Sequence, residues 1–169
     1  MIQVYTGDGK GKTTAALGLA LRAIGHGLKV AVLQFLKDDP EYGEFKARTQ
    51  LDNFELYQVG RNDFVNFKQP DKIDLELAAA GWAQAKELIS AGQHQIIILD
   101  EFTFVLKYNL LNAQEIYEFL SEYKNTCEIV ITGRYAPAEL VAMAELVTDM
   151  HNVKHYFDKG IETRKGIDH

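Results

Sequence analysis

Thr6-Gly7-Asp8-Gly9-Lys10-Gly11-Lys12-Thr13-Thr14 follows the short apolar run Ile2-Gln3-Val4-Tyr5 and opens an alanine- and leucine-rich stretch over residues 15–24. Strand, glycine loop, helix is the setting that a phosphate-binding loop requires. Glycines at 7, 9 and 11 allow backbone conformations that side chains forbid. Successive N–H groups can then face an anion at the positive end of a helix. Lys12 supplies a mobile charge for phosphates, and Thr13 a hydroxyl for a magnesium ion that already carries phosphate and water. Thr6 stands where the pattern G-x-x-x-x-G-K-[ST] has its first glycine, and Gly7 comes one residue late. A glycine-rich turn before an ordinary helix is the plainer reading; Gly-Lys-Thr-Thr in this setting favours the phosphate loop.

The chain has 169 residues, 47% hydrophobic and 25% charged, which describes one globular domain over 1–169. Its net charge of −6 argues against a broad nucleic-acid footprint, yet Lys10 and Lys12 concentrate positive charge locally. The single cysteine, Cys127, sits in an apolar run and builds neither a disulfide framework nor a cysteine-based zinc site. His26, His94, His151, His155 and His169 show no spacing backed by a third metal ligand. No apolar run reaches membrane-spanning length. Met1 stands almost directly before the first strand, leaving no room for a signal peptide, so cytoplasmic residence is expected.

Further along, residues 29–35 read as a nearly continuous apolar strand, suited to a parallel sheet covered on both faces. Gln34 interrupts it near the carboxyl end, where open α/β sheets bind ligands. A short helix is expected over 41–51 and a third strand over 54–59. Residues 61–70 form an irregular loop carrying Phe64 and Phe67. Either these rings tuck under the loop, or they line a pocket for a large, flat, apolar ligand. Residues 71–91 read as a long helix with Ile73, Leu77, Ala80 and Leu88 on its apolar face and Trp82 in the core.

Ile96-Ile97-Ile98-Leu99-Asp100-Glu101 is the second chemical motif: a buried strand with two acids at its carboxyl end. After a phosphate loop, that is where an acid holds magnesium, directly or through water. Asn112 with Glu115 predicts a capping box, residues 127–132 another strand, and Pro137 the start of a helix. Arg134, just past that strand, can reach the crevice of the loop. Arg22, in the first helix, is either a solvated charge or a second phosphate contact. Residues 153–157 are expected to form the last strand.

These residues together resemble the phosphate-loop class of corrinoid adenosyltransferases. The resemblance is carried by residues 7–16, by Arg22 with Gly25-His26-Gly27, by residues 32–37, by Leu99-Asp100-Glu101, and by Ile131-Thr132-Gly133-Arg134. The closing run is the most specific: residues 147–150, Val153-Lys154-His155, Phe157, Gly160 and Gly166-Ile167-Asp168. The resemblance implies a six-stranded, mostly parallel sheet with helices on both faces, usually in a homodimer. It implies transfer of the 5′-deoxyadenosyl group of ATP to the Co(I) of a reduced corrinoid, with release of triphosphate and help from Mg2+. ATP would lie reversed relative to ordinary ATPases, held by Gly7, Asp8, Gly9, Lys10, Gly11, Lys12, Thr13, Thr14, Arg22 and Arg134. Lys12 and Arg22 would stabilise the leaving group. Thr13, Asp100 and Glu101 would hold magnesium, and an electron-donating flavoprotein reductase would supply Co(I). Phe64 matches an aromatic wedge that displaces the lower axial base of the corrinoid. Where the family often has a tryptophan, this chain has Asn66, with Phe67 beside it. A kinase or NTPase acting at the γ-phosphate and a non-catalytic nucleotide or corrinoid sensor are the competing readings.

Overall fold

A computed structural model describes residues 1–61, 63 and 65–168. Five strands expected from sequence form: β1 (Ile2–Thr6), β2 (Val30–Phe35), β3 (Phe54–Val59), β4 (Ile96–Asp100) and β5 (Glu128–Thr132). The sixth, β6, is Leu146–Asp149 and not residues 153–157. The reason lies in pairing. Residues 146–149 lie in register beside β1, whereas Val153 and Phe157 are 87% and 82% exposed and have no sheet edge to join. The strands run in the order β3-β2-β4-β5-β1-β6, and every neighbouring pair is parallel.

Among the described residues, six α-helices connect them: α1 (Lys12–Ile24), α2 (Gly43–Ala47), α3 (Lys72–Ala91), α4 (Phe102–Lys107), α5 (Ala113–Tyr123) and α6 (Ala138–Met143). Strand alternation divides the core in two. One face carries Ala31, Leu33, Phe35, Ile97 and Leu99 and is covered by Trp82, Ala85 and Ile89 of α3 with Phe102, Ile116, Leu120 and Leu140. The opposite face carries Val30, Val32, Ile96, Ile98 and Val130 and packs on Ala16, Ala20 and Ala23 of α1. Those alanines let α1 lie close to the sheet, so its first turn stands directly over the strand ends.

Trp82 is in the core as expected, stacked on Phe102 at 5.3 Å. The rest of the α3 face differs from the sequence reading. Its buried side is Asp74, Ala78, Gly81, Trp82, Ala85 and Ile89, while Ile73 and Ala80 are exposed. Asp74 is buried because it closes a capping box with Asp71 and binds Arg61, which turns the helix away from the purely apolar choice. At the end of α1, Gly25 keeps a helical conformation and Gly27 takes the left-handed one. Asn112 caps α5 by accepting from the Gln114 N–H, while its own amide donates to Glu115. Helix α4 has no counterpart in the sequence reading; it is a short apolar turn launched from the end of β4. Among the described residues, no helix is long and apolar enough to cross a membrane.

Candidate active site

The candidate phosphate loop, residues 7–11, joins β1 to α1 at the carboxyl edge of the sheet. Gly7 has φ +101°, and a side chain there would run into the backbone of Met150, just past β6. Glycine therefore meets both a left-handed φ and a close approach. The loop is tied to that neighbour: Gly9 N–H donates to the Met150 carbonyl at 2.6 Å, and Met150 N–H donates to Thr6 at 2.9 Å. The Gly9 amide is thus spent on the fold and is not aimed at an anion, unlike the sequence expectation for the loop as a whole. Lys12 is buried at the first turn of α1 and donates from Nζ to the Gly9 carbonyl at 2.6 Å. Burial lowers its pKa, against the pull of Glu101.

Asp100, fully buried at the end of β4, is the hub. Its Oδ1 accepts from Thr13 Oγ1 at 2.7 Å and Thr132 Oγ1 at 2.6 Å. Its Oδ2 accepts from Lys37 Nζ at 2.7 Å and Gln34 Nε2 at 3.2 Å. Burial alone would push this carboxyl up; the Lys37 ammonium and the two threonine hydroxyls outweigh it, so its pKa is lowered. A carboxylate offers about four acceptor positions, and here all are taken.

Glu101 is in the opposite condition. It takes a left-handed φ of 59° as the N-cap of α4, and its N–H donates to Thr132 Oγ1 at 3.1 Å. Its Oε2 is buried without a hydrogen-bond partner. Burial and then the charge of Asp100 raise its pKa, against Lys37, Lys12 and Arg134. An orphaned buried oxygen is costly unless a cation or donor meets it.

Among the described residues, no cluster of three His, Cys, Asp or Glu side chains could hold a metal alone. That donor set fits a magnesium ion bound mainly by phosphates and water, with Glu101 Oε2 and the Thr13 hydroxyl as the protein side. It does not fit a resident, all-protein metal site.

Two cavities share a wall beside the end of β4, and the first of them reaches the loop. One, about 470 Å3, is bounded by Thr13, Thr14 and Leu17 of α1, by Gly43 and Glu44, and by Gly166-Ile167-Asp168. The other, about 520 Å3, is walled by Phe35, Leu36, Val65, Phe67 and Phe104, with Asp38, Asp39 and Arg61 at its polar side. Lys37, Tyr42 and Glu101 line both. Phe67 stacks on Tyr108 at 4.2 Å and on Phe104 at 5.4 Å. Phe67 is therefore a packed loop residue that also forms part of a cavity wall. Arg61 anchors the loop by ion pairs to Asp71 at 2.7 Å and to buried Asp74 at 2.8 Å.

The structure brings Lys12, Thr13, Asp100 and Glu101 together, with Thr14 on the cavity rim and Arg134 close enough to act on Lys12 and Glu101. Asp8 turns aside: it accepts from Asn152 N–H at 3.0 Å and lines a separate recess with Arg134, His155 and Phe157. Lys10 pairs with Asp168 at 2.9 Å. Arg22 does not join this group within one chain. It lies exposed in the last turn of α1, about 15 Å along the axis from Lys12, and its nearest charge effect is on Tyr5. Phe64 lies outside the described residues.

Lys37 is the residue that sequence reasoning passed over as a site member. Its placement is built: Leu36 takes φ 61°, and Gly60 packs so tightly that a side chain there would strike the Leu36 and Lys37 backbone. The available signal was a charge two residues beyond an apolar strand, at the sheet edge that carries the loop.

Comparison with known proteins bears on this arrangement. The whole chain, residues 1–169, matches the family described as ATP:corrinoid adenosyltransferase BtuR/CobO/CobP. It is 36% identical over 170 residues to a corrinoid adenosyltransferase of Escherichia coli, covering 100% of this chain and 85% of that protein. A corrinoid adenosyltransferase of a Sinorhizobium species is 36% identical over 171 residues, covering 99% of this chain and 79% of that protein. The protein named corrinoid adenosyltransferase CobA from Salmonella typhimurium is 35% identical over 170 residues, covering 100% of this chain and 85% of that protein.

Proposed function

The chain belongs to the ATP:corrinoid adenosyltransferase family and transfers the adenosyl group of ATP to a corrinoid; from that premise we propose how its residues do so. The observation that carries the proposal is the pair of adjoining cavities with Lys37, Tyr42 and Glu101 as their common wall. The phosphates sit in the loop, the nucleoside extends into the cavity beside Thr13, Thr14 and Leu17, and the corrin ring enters the aromatic cavity walled by Phe67 and Phe104. C5′ then lies at the common wall and faces the cobalt.

The reaction is a displacement at carbon. The electron pair of Co(I) forms the cobalt–carbon bond, the C5′–O bond breaks, and its electron pair leaves with triphosphate. A reduced corrinoid is itself a strong nucleophile, so the protein supplies placement and charge. Lys12 and Lys10 face the charge that grows on the leaving group, and Arg134 reaches it from the end of β5. Glu101 Oε2 and Thr13 Oγ1 would hold magnesium, which would supply Lewis-acid stabilisation of the phosphate oxygens. Asp100 acts one step back, fixing the Thr13 hydroxyl and the Lys37 ammonium. Arg22 has no part in this arrangement because α1 carries it away from the loop. Phe64, by its match to the family's wedge, and Phe67, by its place in the cavity wall, approach the lower face of the corrin. We further propose a cytoplasmic homodimer of this single domain that takes electrons from a flavoprotein reductase.

An anaerobic assay with pre-reduced cobalamin and MgATP tests this reading. It predicts the cobalt–carbon chromophore and inorganic triphosphate in equal amounts. ADP or monophosphate as the product would overturn it.

A further inference from the structure

Gly166-Ile167-Asp168 belongs to the closing run singled out in the sequence, and no part of the reaction above uses it. In the structure this segment lies across the nucleotide cavity opposite Thr13, Thr14 and Leu17. It is fixed there by two sets of contacts. Asp168 Oδ1 pairs with Lys10 of the phosphate loop at 2.9 Å. Asp168 Oδ2 accepts from the Arg164 N–H at 3.1 Å and from Arg164 Nε at 3.3 Å, and the Ile167 and Asp168 amides donate to the Arg164 carbonyl. The segment is thus a closed turn tied to the loop through Lys10 and braced by Tyr156, whose ring centre lies 4.4 Å from the Arg164 guanidinium. The Lys10 hydrogen bond, with Arg164, holds the Asp168 carboxyl down to about 2, so the anchor is charged at any working pH. Ile167 is 61% exposed, an apolar side chain beside the cavity with little of the fold to pack on. Leu17 and Tyr42 line the same cavity and supply further apolar surface beside its polar groups. A cavity of about 470 Å3 that joins Leu17, Tyr42 and Ile167 to Thr13 and Thr14 matches a nucleoside carrying phosphates.

The geometry points to residues 164–168 as a strap that closes the nucleoside end of the site, with Asp168 as its buckle on Lys10 and Ile167 as its contact with the base. This rests on the nucleotide orientation proposed above and adds to it a specific wall. The strap touches the nucleoside and not the phosphates. Its apolar contact through Ile167 therefore contributes to binding of a whole nucleotide and nothing to binding of triphosphate alone. Asp168 is a positioning residue here; it acts through Lys10 and the turn.

The test is binding without corrinoid, measured by calorimetry with MgATP and separately with inorganic tripolyphosphate, together with hydrogen exchange of residues 160–168. Wild-type protein is expected to bind both ligands, with slower exchange of the strap amides under MgATP only. Ile167→Ser is expected to weaken MgATP about tenfold, the scale of one lost apolar contact, and tripolyphosphate less than about twofold. Asp168→Asn is expected to speed strap exchange in the free protein and to reduce its slowing by MgATP; Asp168→Glu restores both. Both positions lie outside the hydrophobic core, so melting temperatures should stay within about 2 °C of wild type. Unchanged MgATP affinity in Ile167→Ser, equal weakening of both ligands, or faster strap exchange under MgATP would each overturn the strap while leaving the nucleotide site standing. Failure of the wild-type protein to bind MgATP would overturn the site as well.

Discussion

Replacing Asp100 by asparagine isolates the electrostatic centre of the site. The amide is nearly isosteric. Its oxygen can keep Lys37 and Gln34 while its NH2 meets the hydroxyls of Thr13 and Thr132, so the hydrogen-bond count changes little. What is lost is the negative charge under a Lys37 side chain only 18% exposed. Removing one partner of a buried ion pair costs about 3–5 kcal/mol, and the residual exposure of Lys37 places this case near the lower figure, about 3 kcal/mol. For a chain of this size that is a fall of about 6–12 °C in melting temperature. Lys37→Met leaves Asp100 charged with three of its donors and should cost about 2 kcal/mol. The double variant has neither stranded charge. It should be more stable than the sum of the two losses predicts, by at least about 2 kcal/mol. Urea denaturation of all four proteins, fitted with a common slope, measures the cycle. Additivity within about 0.5 kcal/mol would refute the claim that Asp100 is held by Lys37 and would reduce the pair to two independent polar residues.

Glu101→Gln should raise the magnesium concentration needed for half-maximal nucleotide binding by at least about tenfold and leave metal-free nucleotide binding within about twofold, because only the orphaned Oε2 changes character. Phe67→Ala should raise the KM for the corrinoid and leave the KM for ATP near wild type, read in steady-state assays with each substrate varied. It should also destabilise by about 2–3 kcal/mol, since the ring is partly buried between Tyr108 and Phe104. Asp168 provides the pH test. A folded-state pKa depressed to about 2 means that the strap's contribution is fully present above the ordinary aspartate value and is lost only as pH falls toward 2. The ratio of wild-type to Asp168→Asn affinity for MgATP should therefore be flat from pH 8 to pH 5; a decline across that window would show that another group controls the strap.

Where side-chain pattern and chemistry coincide, the sequence was legible. Gly-Lys-Thr-Thr after a strand, and Asp-Glu after four apolar residues, each carry their physical reason within a few positions, and the parallel sheet follows from strands without polar alternation. The errors have a common cause: they depend on contacts distant in the chain. β6 was misplaced because Val147 and Val153 look alike until β1 selects its partner. The α3 face differs because a buried aspartate, Asp74, needed by Arg61 13 residues earlier in the chain, stands where an apolar residue is expected. Lys37 went unassigned because its direction depends on a left-handed leucine and on Gly60 packing against it, neither visible in a strand-ending Phe-Leu-Lys. The strap was visible as a motif, but its place over the loop is a matter of tertiary structure alone.

The most direct measurement is a crystal structure with a non-reactive ATP analogue and a corrinoid bound together. The account predicts phosphates in the loop, the base between Leu17 and Ile167, and C5′ at the wall formed by Lys37, Tyr42 and Glu101, facing the cobalt. A nucleoside seated instead in the recess of Asp8, Arg134, His155 and Phe157, with its C5′ turned from the aromatic cavity, would contradict it.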